Sequence, residues 1–490
     1  MLSAHKVKVE AIVAIVKDCF DRQVPFRINH GSTSSTRPMH QSQMVDITSL
    51  SDVIEVNSKT RTAIVEPNVP MDVLIRSTLK EKLIPPVVME FPGITVGGGH
   101  AGCAGESSSF KWGYFGQTIQ AIEMVLGDGE IVTASHTERS DLFAGTAGSL
   151  GTLGITTRLD ISLIEAKEFV KTTYHRVNSV QAAIDLIKRE INNTTRDYID
   201  GIIFSKSHGV VITGQLTDEI PETVSPKTFS KPWDQWYYLH VKEKTRLETA
   251  PEPPLVDYIP LTEYLFRYDR GGFWIGAEAF HYFYFPFNRF TRWLLNDFMH
   301  TRMLYRALHG SNLHRKNIIQ DLSLPYSTAG NFIDFATEEF DIWPLWLCPL
   351  RGQKPPTFHP STLSTDGEFA EPMLNIGLWG RGKESPTLAK NKLLEKTLVS
   401  MSGRKVLYAE VFWGHDEFWS LYPRLWYEQL RGRYRATCMP TVFDKVHRQE
   451  AKCKQTSWRG FFSQIWPIPG ILGIVQAIRS KDYLLHRQRR

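Results

Sequence analysis

The sequence predicts an α+β protein of two domains, and three observations lead to this fold class. The chain has 490 residues, which is too long for one ordinary hydrophobic core. Its 42% hydrophobic and 22% charged residues are typical of a folded globular protein. Strand-like runs rich in valine and isoleucine alternate with amphipathic helices, and glycine-rich turns occur at three separate places before residue 165. We expect domains at 1–165 and 166–450, followed by a hydrophobic and basic tail at 451–490.

The first elements follow from the spacing of apolar residues. Residues 5–22 predict a helix with an apolar stripe, and residues 24–28 predict a short strand. Residues 44–69 predict two or three strands with a turn near Asn57, and residues 71–83 predict a helix.

A loop of small hydroxylated residues follows the first strand, from His30 to Thr36, with Arg27 and Arg37 on either side. Backbone N–H groups, hydroxyls and two cations suit a diphosphate. An ordinary surface loop rich in serine and threonine is at least as good an explanation of this segment alone.

The stretch from Phe91 to Ile155 organises the protein. Ten glycines lie between Gly93 and Gly129, and several serines lie among them. Each glycine costs roughly 1 kcal/mol relative to alanine in a helix, so we expect no helix interior here. Glycine allows the backbone to approach a flat or anionic ligand closely, and this run predicts a site for a diphosphate or an extended dinucleotide. A glycine-rich surface loop is the alternative.

The elements after the glycine run do not form a Rossmann unit. Residues 119–135 predict two strands joined by an Asp128-Gly129 hairpin turn. Residues 140–164 predict a short helix, a glycine-rich turn and a long strand. A Rossmann fingerprint needs one GxGxxG segment directly after a first strand and before a helix, and no such unit is found.

The order of these motifs resembles the FAD-binding domain of the vanillyl-alcohol oxidase and p-cresol methylhydroxylase superfamily. Within it, GESSSFKWGYFGQ (105–117), VLGDGEIV (125–132) and SDLF…GTLGI (140–155) are similar to the Δ24-sterol reductase group. KNIIQDLSLP (316–325), MLNIGLWG (373–380) and KVLYAEVFWGHDEFW (405–419) extend the likeness. The resemblance implies a two-subdomain PCMH-type FAD-binding domain followed by an α+β substrate domain.

The resemblance also implies which residues hold FAD. Three groups would follow the pyrophosphate, the ribityl-diphosphate and the adenine side, in that order: Gly31, Ser32, Thr33, Ser34 and Ser35; Thr95, Val96, Gly97, Gly98, Gly102, Ser107, Ser108 and Gly113; Gly148, Thr152, Gly154 and Ile155. Some relatives bind FAD covalently through a His or Cys. His30 precedes the loop glycine here, so we expect non-covalent FAD, with attachment at Cys103 as the alternative.

For catalysis, a flavin carries the hydride and the protein supplies or removes one proton. In KVLYAEVFWGHDEFW (405–419) the strand pattern puts Tyr408 and Glu410 on one face, and either could donate that proton. Asp321 is the third candidate. Structural roles for each (a hydrogen-bonded core tyrosine, a surface glutamate, a capping aspartate) are the alternatives.

The second half of the sequence predicts an apolar ligand site. Aromatic residues are dense between 231 and 305, which predicts a large apolar pocket for a sterol or terpenoid, although each residue could equally be part of the core. We therefore expect a reductase that acts on a C=C bond in the tail of such a substrate, with NADPH implied by the resemblance. The alternatives are an FAD oxidase or dehydrogenase of an alcohol or secondary metabolite that uses O2, and a flavin-less lipid-binding or scaffold protein.

The tail favours a membrane surface. Residues 460–478 contain no charge and are flanked by lysines and arginines, as in an interfacial anchor on anionic lipid, although packing against the aromatic domain is equally possible. With the resemblance, this predicts an intracellular protein associated with the endoplasmic reticulum membrane. No apolar run of about 18 residues precedes Arg27, so no spanning segment is expected there.

Composition excludes several other classes. The net charge of +5 is small and the basic residues are scattered until the C-terminus, so no nucleic-acid partner is expected. Five cysteines without a CxxC pair predict neither a metal site nor a disulfide framework. No signal peptide is expected at residues 1–20. The sequence leaves the oligomeric state open.

Overall fold

A computed structural model describes residues 2–31, 43–246, 254–311, 313, 317–361, 371–382, 387–448 and 465–487. The strands are β1 Phe26–Asn29, β2 Gln43–Asp46, β3 Val53–Asn57, β4 Thr62–Val65, β5 Leu83–Ile84, β6 Ile119–Val125, β7 Ile131–Ser135, β8 Ile155–Ser162, β9 Ile164–Glu165, β10 Phe169–Val177, β11 Tyr198–Ser205, β12 His208–Thr217, β13 Leu255–Pro260, β14 Ile318–Pro325, β15 Leu345–Leu350, β16 Met373–Gly380 and β17 Arg404–Lys405.

The helices are distributed over both halves of the protein. They are α1 Leu2–Asp21, α2 Met71–Thr78, α3 Val96–Ala101, α4 Ser109–Trp112, α5 Ser140–Thr146, α6 Val180–Glu190, α7 Tyr237–Lys244, α8 Leu261–Leu265, α9 Ile275–Tyr282, α10 Arg289–Leu294, α11 Thr301–Gly310, α12 Tyr326–Phe340, α13 Leu388–Ser400, α14 His415–Leu421, α15 Arg424–Arg433, α16 Val442–Val446, α17 Ile468–Arg479 and α18 Tyr483–Arg487.

The fold is α+β, as predicted. The first part contains an antiparallel five-stranded sheet in the order β3-β4-β8-β6-β7, together with a parallel pair, β1-β2. Burial alternates strictly along β8, which is the period-2 pattern of a strand with one face in a core. The predicted helix at 5–22 and the predicted hairpin at 119–135 are confirmed as α1 and as β6-β7.

The second part is an antiparallel eight-stranded sheet in the order β13-β10-β12-β11-β15-β16-β14-β17. Both faces of its central strands are buried, and every residue of β16 is buried. Alternate side chains enter two different cores: Leu347 and Leu378 join a core formed with α6, α12 and α13. Trp346 and Trp379 point the other way and join the core shared with the first part of the protein. The sheet therefore has helices on one face and the first part on the other.

The C-terminal helices return to the first part. The hydroxyl of Tyr427 on α15 donates to Thr152 Oγ1 at 2.6 Å, and Arg431 donates to the Thr152 carbonyl at 3.0 Å. The five-stranded sheet ends at Ser162 and the eight-stranded sheet begins at Phe169. The domain boundaries stay a prediction.

Candidate active site

A cavity of about 290 Å³ lies between the glycine-rich segment and the face of the eight-stranded sheet that carries Trp346 and Trp379. Three groups of residues line it. The glycine-rich side supplies Thr95, Gly97, Gly98, Gly99, Ala101, Gly102, Cys103, Ala104 and Gly105; the sheet side supplies Ile319, Asp321, Trp346, Leu350, Asn375, Trp379, Val406 and Tyr408; the remaining wall includes Glu90, Phe91, Glu106, Tyr114, Phe273, Leu304, Tyr305 and Leu308.

The glycine-rich wall includes a short helix, so the expectation that this run avoids helix is wrong. Val96–Ala101 forms α3, and the Thr95 hydroxyl caps it by accepting from the Gly98 N–H. Close packing explains the glycines, because a Cβ at Gly97 would lie 2.7 Å from the Cβ of Pro67. A Cβ at Gly99 would lie 2.4 Å from Met89. The helical cost of glycine, roughly 1 kcal/mol each, is outweighed by this close approach.

The amides of this wall are bonded within the protein. Gly97 N–H donates to the Pro67 carbonyl at 2.7 Å, and Gly102 N–H donates to the Gly98 carbonyl at 2.9 Å. These two N–H groups are therefore already used inside the protein. What the segment presents to the cavity is backbone without side chains, a surface that a flat or extended ligand can lie against.

Two potential attachment residues line the same cavity. His30 and Cys103 are both wall residues. Cys103 has a left-handed backbone with φ of 56°, and a Cβ at Gly148 would lie 2.3 Å from its Sγ. Burial raises the pKa of the Cys103 thiol, so the group is protonated and poorly nucleophilic. This supports non-covalent binding of FAD.

The other predicted cofactor residues are distributed around the cavity. Thr95, Gly97, Gly98 and Gly102 line it. Gly31, at φ of 69°, lines a smaller neighbouring cavity together with His30 and Thr95. Ser32, Thr33, Ser34 and Ser35 lie outside the described residues. Val96, Ser107, Ser108, Gly113, Gly148, Thr152, Gly154 and Ile155 are not among the lining residues.

Local bonds account for two residues that lie off the cavity. The Ser108 hydroxyl donates to the Pro86 carbonyl at 2.8 Å, and the Thr152 hydroxyl bonds Tyr427 and Ser149. Leu150, Gly151 and Thr156 line the cavity near that end instead. The assignment of the cofactor residues stays a prediction.

The sheet side brings together two of the three predicted catalytic residues. Asp321 on β14 accepts a hydrogen bond at 2.9 Å from Nδ2 of Asn375, which lies on the neighbouring strand β16. The Tyr408 hydroxyl donates to the Asp321 carboxyl. Burial raises the pKa of Asp321 to about 6, and these two hydrogen bonds oppose the rise. Burial also raises the pKa of Tyr408 well above its usual range, so its hydroxyl is neutral.

Glu410 does not line the cavity. Its carboxylate pairs with Arg448 at 3.3 Å, and its carbonyl accepts from Lys405 Nζ at 2.6 Å. The strand predicted within 405–419 is wrong beyond Lys405, because β17 ends there and a turn follows at 407–408. Tyr408 and Glu410 therefore do not share a strand face, and the turn carries only Tyr408 to the cavity.

Sequence analysis missed two carboxyls in the cavity wall. Glu90 is 4% exposed and Glu106 is 9% exposed, and they flank the glycine-rich segment. Burial raises the pKa of Glu90 to about 8, and the carboxyls of Asp200 and Asp321 add to the rise. Burial and the charge of Glu90 raise the pKa of Glu106 well above its usual range. The sequence signal that could have identified them is their position next to the glycine run.

A buried arginine supports this wall from behind. Arg267 lies 3.1 Å from Glu90 and 2.9 Å from Asp200. Asp200 also accepts from the Tyr268 hydroxyl at 2.8 Å and from Trp346 Nε1 at 3.2 Å. The bonds to Asp200 fix the orientation of the Trp346 ring that faces the cavity. A buried charge with several partners of this kind is stable, whereas one without them is costly.

Aromatic rings form the apolar part of the cavity. The ring centroids of Phe273 and Trp379 are 4.6 Å apart, and Trp346 stacks on Trp379 at 5.7 Å. Trp379 lies over Gly377, where a Cβ would come within 2.6 Å of its ring. Trp274 Nε1 donates to the Trp379 carbonyl at 2.9 Å and holds this strand end in position. Of the aromatic residues between 231 and 305, Phe273 and Tyr305 line the cavity, whereas Trp346 and Trp379 come from later strands. Most of the other rings in that region pack in the core.

The residues of this cavity fit a flavin. Both carboxyl oxygens of Glu90 are buried without a hydrogen-bond partner among the described residues, although Arg267 lies nearby. An isoalloxazine ring carries an N–H donor between carbonyl acceptors, and a carboxyl in either protonation state can pair with that edge. The bare backbone from Gly97 to Gly105 leaves room for the extended part of the cofactor.

Two further properties concern metals and membranes. Within the described part of the protein, no group of three or more His, Cys, Asp or Glu residues is placed to hold a metal ion. No helix in that part has the length and apolar character needed to cross a bilayer.

Comparison with known proteins identifies the domain. Residues 7–135 match the family described as FAD binding domain. The chain is 29% identical over 416 residues to Delta(24)-sterol reductase of Mus musculus, and the aligned region covers 83% of this chain and 78% of that protein. It is 29% identical over 445 residues to Delta(24)-sterol reductase of Arabidopsis thaliana, at 84% and 77% coverage.

A shorter similarity concerns a different activity. The chain is 33% identical over 141 residues to Cytokinin dehydrogenase 4 of Oryza sativa, which covers 28% of this chain and 26% of that protein. The chain is an FAD-dependent oxidoreductase with a PCMH-type FAD-binding domain, and it is similar to Delta(24)-sterol reductases over most of its length.

Proposed function

We propose that this protein reduces a C=C bond in the tail of a sterol or terpenoid, with NADPH as the electron source, in association with the endoplasmic reticulum membrane. The observation that carries the proposal is the Asp321–Tyr408 pair, which lines one cavity with the glycine-rich segment and the rings of Phe273, Trp346 and Trp379. The similarity to Delta(24)-sterol reductases supports the substrate class. When FAD is bound, it supplies the hydride chemistry of such a reduction.

The protein contributes an apolar, dry environment for the alkene. The rings of Phe273, Trp346 and Trp379 are each at most 8% exposed, so they exclude water and offer flat apolar surfaces to a polycyclic or prenylated substrate. Candidate FAD contacts are the backbone of Gly97, Gly98 and Gly102, and Thr95.

Tyr408 holds the proton for the second alkene carbon. Its hydroxyl is neutral and faces the cavity, and Asp321 bonds the same oxygen from β14. A proton that leaves Tyr408 can be replaced through Asp321, whose carboxyl has a pKa of about 6. Tyr408 is thus the proton donor, and Asp321 returns a proton to it after each turnover. This is general acid catalysis through a hydrogen-bonded pair.

The test is the Tyr408→Phe variant. We expect it to keep its FAD and the bleaching of FAD by NADPH, while formation of the sterol with the saturated tail falls about 10²- to 10⁴-fold. Product is measured by mass spectrometry with a sterol that has a double bond in its tail. Tyr326→Phe is the control, because Tyr326 is a half-buried tyrosine on α12 outside the cavity. Unchanged product formation in Tyr408→Phe would remove Tyr408 from the mechanism.

The similarity to a cytokinin dehydrogenase favours a second candidate, oxidation of a small metabolite by the bound flavin. The anaerobic experiment separates the two. Flavin bands that bleach with NADPH and recover on addition of a sterol with a double bond in its tail support the reductase. Bands that resist NADPH but bleach with an alcohol or amine substrate support the second candidate.

A further inference from the structure

An unusually apolar surface is built from two segments far apart in the sequence, residues 284–294 and 465–478. Tyr284 is 82% exposed, Phe290 65% and Leu294 55%. On the second segment, Trp466, Ile471 and Leu472 are also exposed. Single exposed apolar residues are ordinary, but a contiguous group marks an interaction site. We call the two segments together the apolar platform.

Direct contacts join the two segments at their N-terminal ends. Trp466 Nε1 donates to the Tyr282 carbonyl at 2.7 Å, and the rings of Trp466 and Tyr284 are 5.4 Å apart. A Cβ at Gly470 would lie 2.4 Å from the Tyr282 ring, so the start of α17 packs closely on the end of α9.

Helix α17 buries its small residues and exposes its large ones. Gly473 and Ala477 are buried, and a Cβ at Gly473 would lie 2.3 Å from the Ala307 carbonyl of α11. Ile471, Leu472 and Val475 point outward. A surface helix in water normally shows the opposite arrangement, so the outer face of α17 suits an apolar environment.

Cations accompany the platform. Arg289 lies within it and Arg479 and Lys481 follow it, and all three are exposed, whereas Asp482 is half-buried and pairs with Arg306. Aromatic residues together with lysine and arginine are typical of the interface between a bilayer and water, and the cations attract anionic headgroups. This combination favours a lipid surface over a protein partner.

The platform is one helix away from the cavity. On α11, Leu304, Tyr305 and Leu308 line the cavity. The same helix meets α17 at Ala307 and Gly310, where a Cβ at Gly310 would lie 2.4 Å from Gln476. A lipid surface on the platform would therefore lie directly outside the cavity wall formed by α11.

We propose that the apolar platform docks on a bilayer that contains anionic lipids and thereby brings the α11 wall of the cavity to the membrane, where an apolar substrate is dissolved. The substrate route rests on the proposed function; the docking does not. At about 18 Å, α17 is shorter than the hydrocarbon core of about 30 Å, so it would lie along the interface.

Flotation of the full-length protein with lipid vesicles tests the docking. We expect the wild-type protein to float with vesicles of phosphatidylcholine and phosphatidylserine, and to float less with phosphatidylcholine alone. The double variant Phe290→Ser with Leu472→Ser should lose binding at least about tenfold, because it removes two side chains from the apolar contact. Leu425→Ser is the control, since Leu425 is 77% exposed on α15 outside the platform.

Two further double variants separate the apolar contact from the attraction between cations and anionic lipid. Arg479→Gln with Lys481→Gln should reduce the preference for phosphatidylserine, whereas Arg76→Gln with Lys80→Gln should not. Wild-type protein that fails to float, or a double variant that floats as wild type does, overturns the docking. So does a wild-type protein that self-associates through the platform in gel filtration and ignores vesicles.

The turnover assay keeps this inference separate from the proposed function. With sterol presented in detergent, the double variant should match wild-type turnover, and with sterol in vesicles it should be several-fold slower. Absence of turnover by the wild-type protein in detergent counts against the proposed function alone, because flotation needs no substrate.

Discussion

The two walls of the cavity are built in opposite ways. The glycine-rich wall, from Thr95 to Gly105, is one continuous segment whose backbone lies against the cavity. The opposite wall takes Asp321 from β14, Asn375 and Trp379 from β16, and Tyr408 from a turn. One wall depends on the absence of side chains, and the other on side chains brought together by strand pairing.

This difference separates the two tasks of the site. A backbone wall accepts a large, common cofactor, and its requirements are steric. A wall of side chains is able to place a proton donor beside an apolar surface and tune its pKa by burial. We therefore expect changes in the first wall to abolish cofactor binding, and changes in the second to alter turnover and its pH dependence.

The largest expected effect is at Gly97. In Gly97→Ala the new Cβ would lie 2.7 Å from the Cβ of Pro67 and 3.0 Å from its carbonyl oxygen, so α3 must shift. We expect about 1–3 kcal/mol of lost stability and loss of FAD from the purified protein. Urea unfolding and the flavin absorbance per protein measure the two effects.

Gly432→Ala is the matched control. Gly432 lies inside α15, and an added Cβ would meet nothing within 4 Å. Alanine there should raise stability by up to about 1 kcal/mol and leave FAD in place. A Gly97→Ala protein that behaves like Gly432→Ala would show that the wall tolerates side chains.

The glycine wall was predictable because its signal is local. Glycines at Gly97, Gly98 and Gly102 mark a close approach of backbone whatever the surrounding fold, and the motif order resembled a known flavin domain. The helical form of α3 was missed because propensity argued against it, while tertiary packing against Pro67 and Met89 decided it.

The opposite wall was predictable only in part, because its signal is not local. Asp321 and Tyr408 lie 87 positions apart (408 − 321), and what joins them is the β14–β17 pairing followed by a turn. The strand pattern within 405–419 placed Glu410 on the same face as Tyr408, whereas the turn carries only Tyr408 to the cavity. Glu90 and Glu106 were missed because a carboxyl next to glycines is usually a solvated loop residue, and only burial gives it another role.

The next largest effect concerns Asp321 and pH. A tyrosine hydroxyl has one proton to donate. When Asp321 is ionised, Tyr408 donates to it; when Asp321 is protonated, Asp321 donates to Tyr408 and leaves the tyrosine proton free for substrate. Because the pKa of Asp321 is about 6, we expect the rate of alkene protonation to fall as pH rises through about 6. Single-turnover reactions of prereduced enzyme with sterol measure this rate.

Asp321→Asn sharpens the same prediction. Its amide oxygen can still accept from Asn375, and its N–H can donate to Tyr408 as a protonated carboxyl does. We expect turnover without the fall near pH 6. A wild-type rate that increases with pH through this range would mean that the ionised carboxylate is the active form.

The last prediction concerns Glu90, a residue of the cavity wall that lies 3.1 Å from Arg267. The folded-state pKa of Glu90 is about 8 against its usual 4.5, and the cause is burial followed by the carboxyls of Asp200 and Asp321. The stability that comes from keeping it protonated is fully present below pH 4.5 and is lost as pH rises through about 8.

Glu90→Gln cannot ionise, so its stability relative to wild type should increase by up to a few kcal/mol between these pH values and then level off. Thermal unfolding of both proteins across pH measures the difference, with Glu130→Gln at an exposed position as the control. If the difference in stability between Glu90→Gln and wild type does not change with pH, Arg267 keeps Glu90 ionised throughout. The cavity would then present a negative charge to the flavin where we expect a neutral acid.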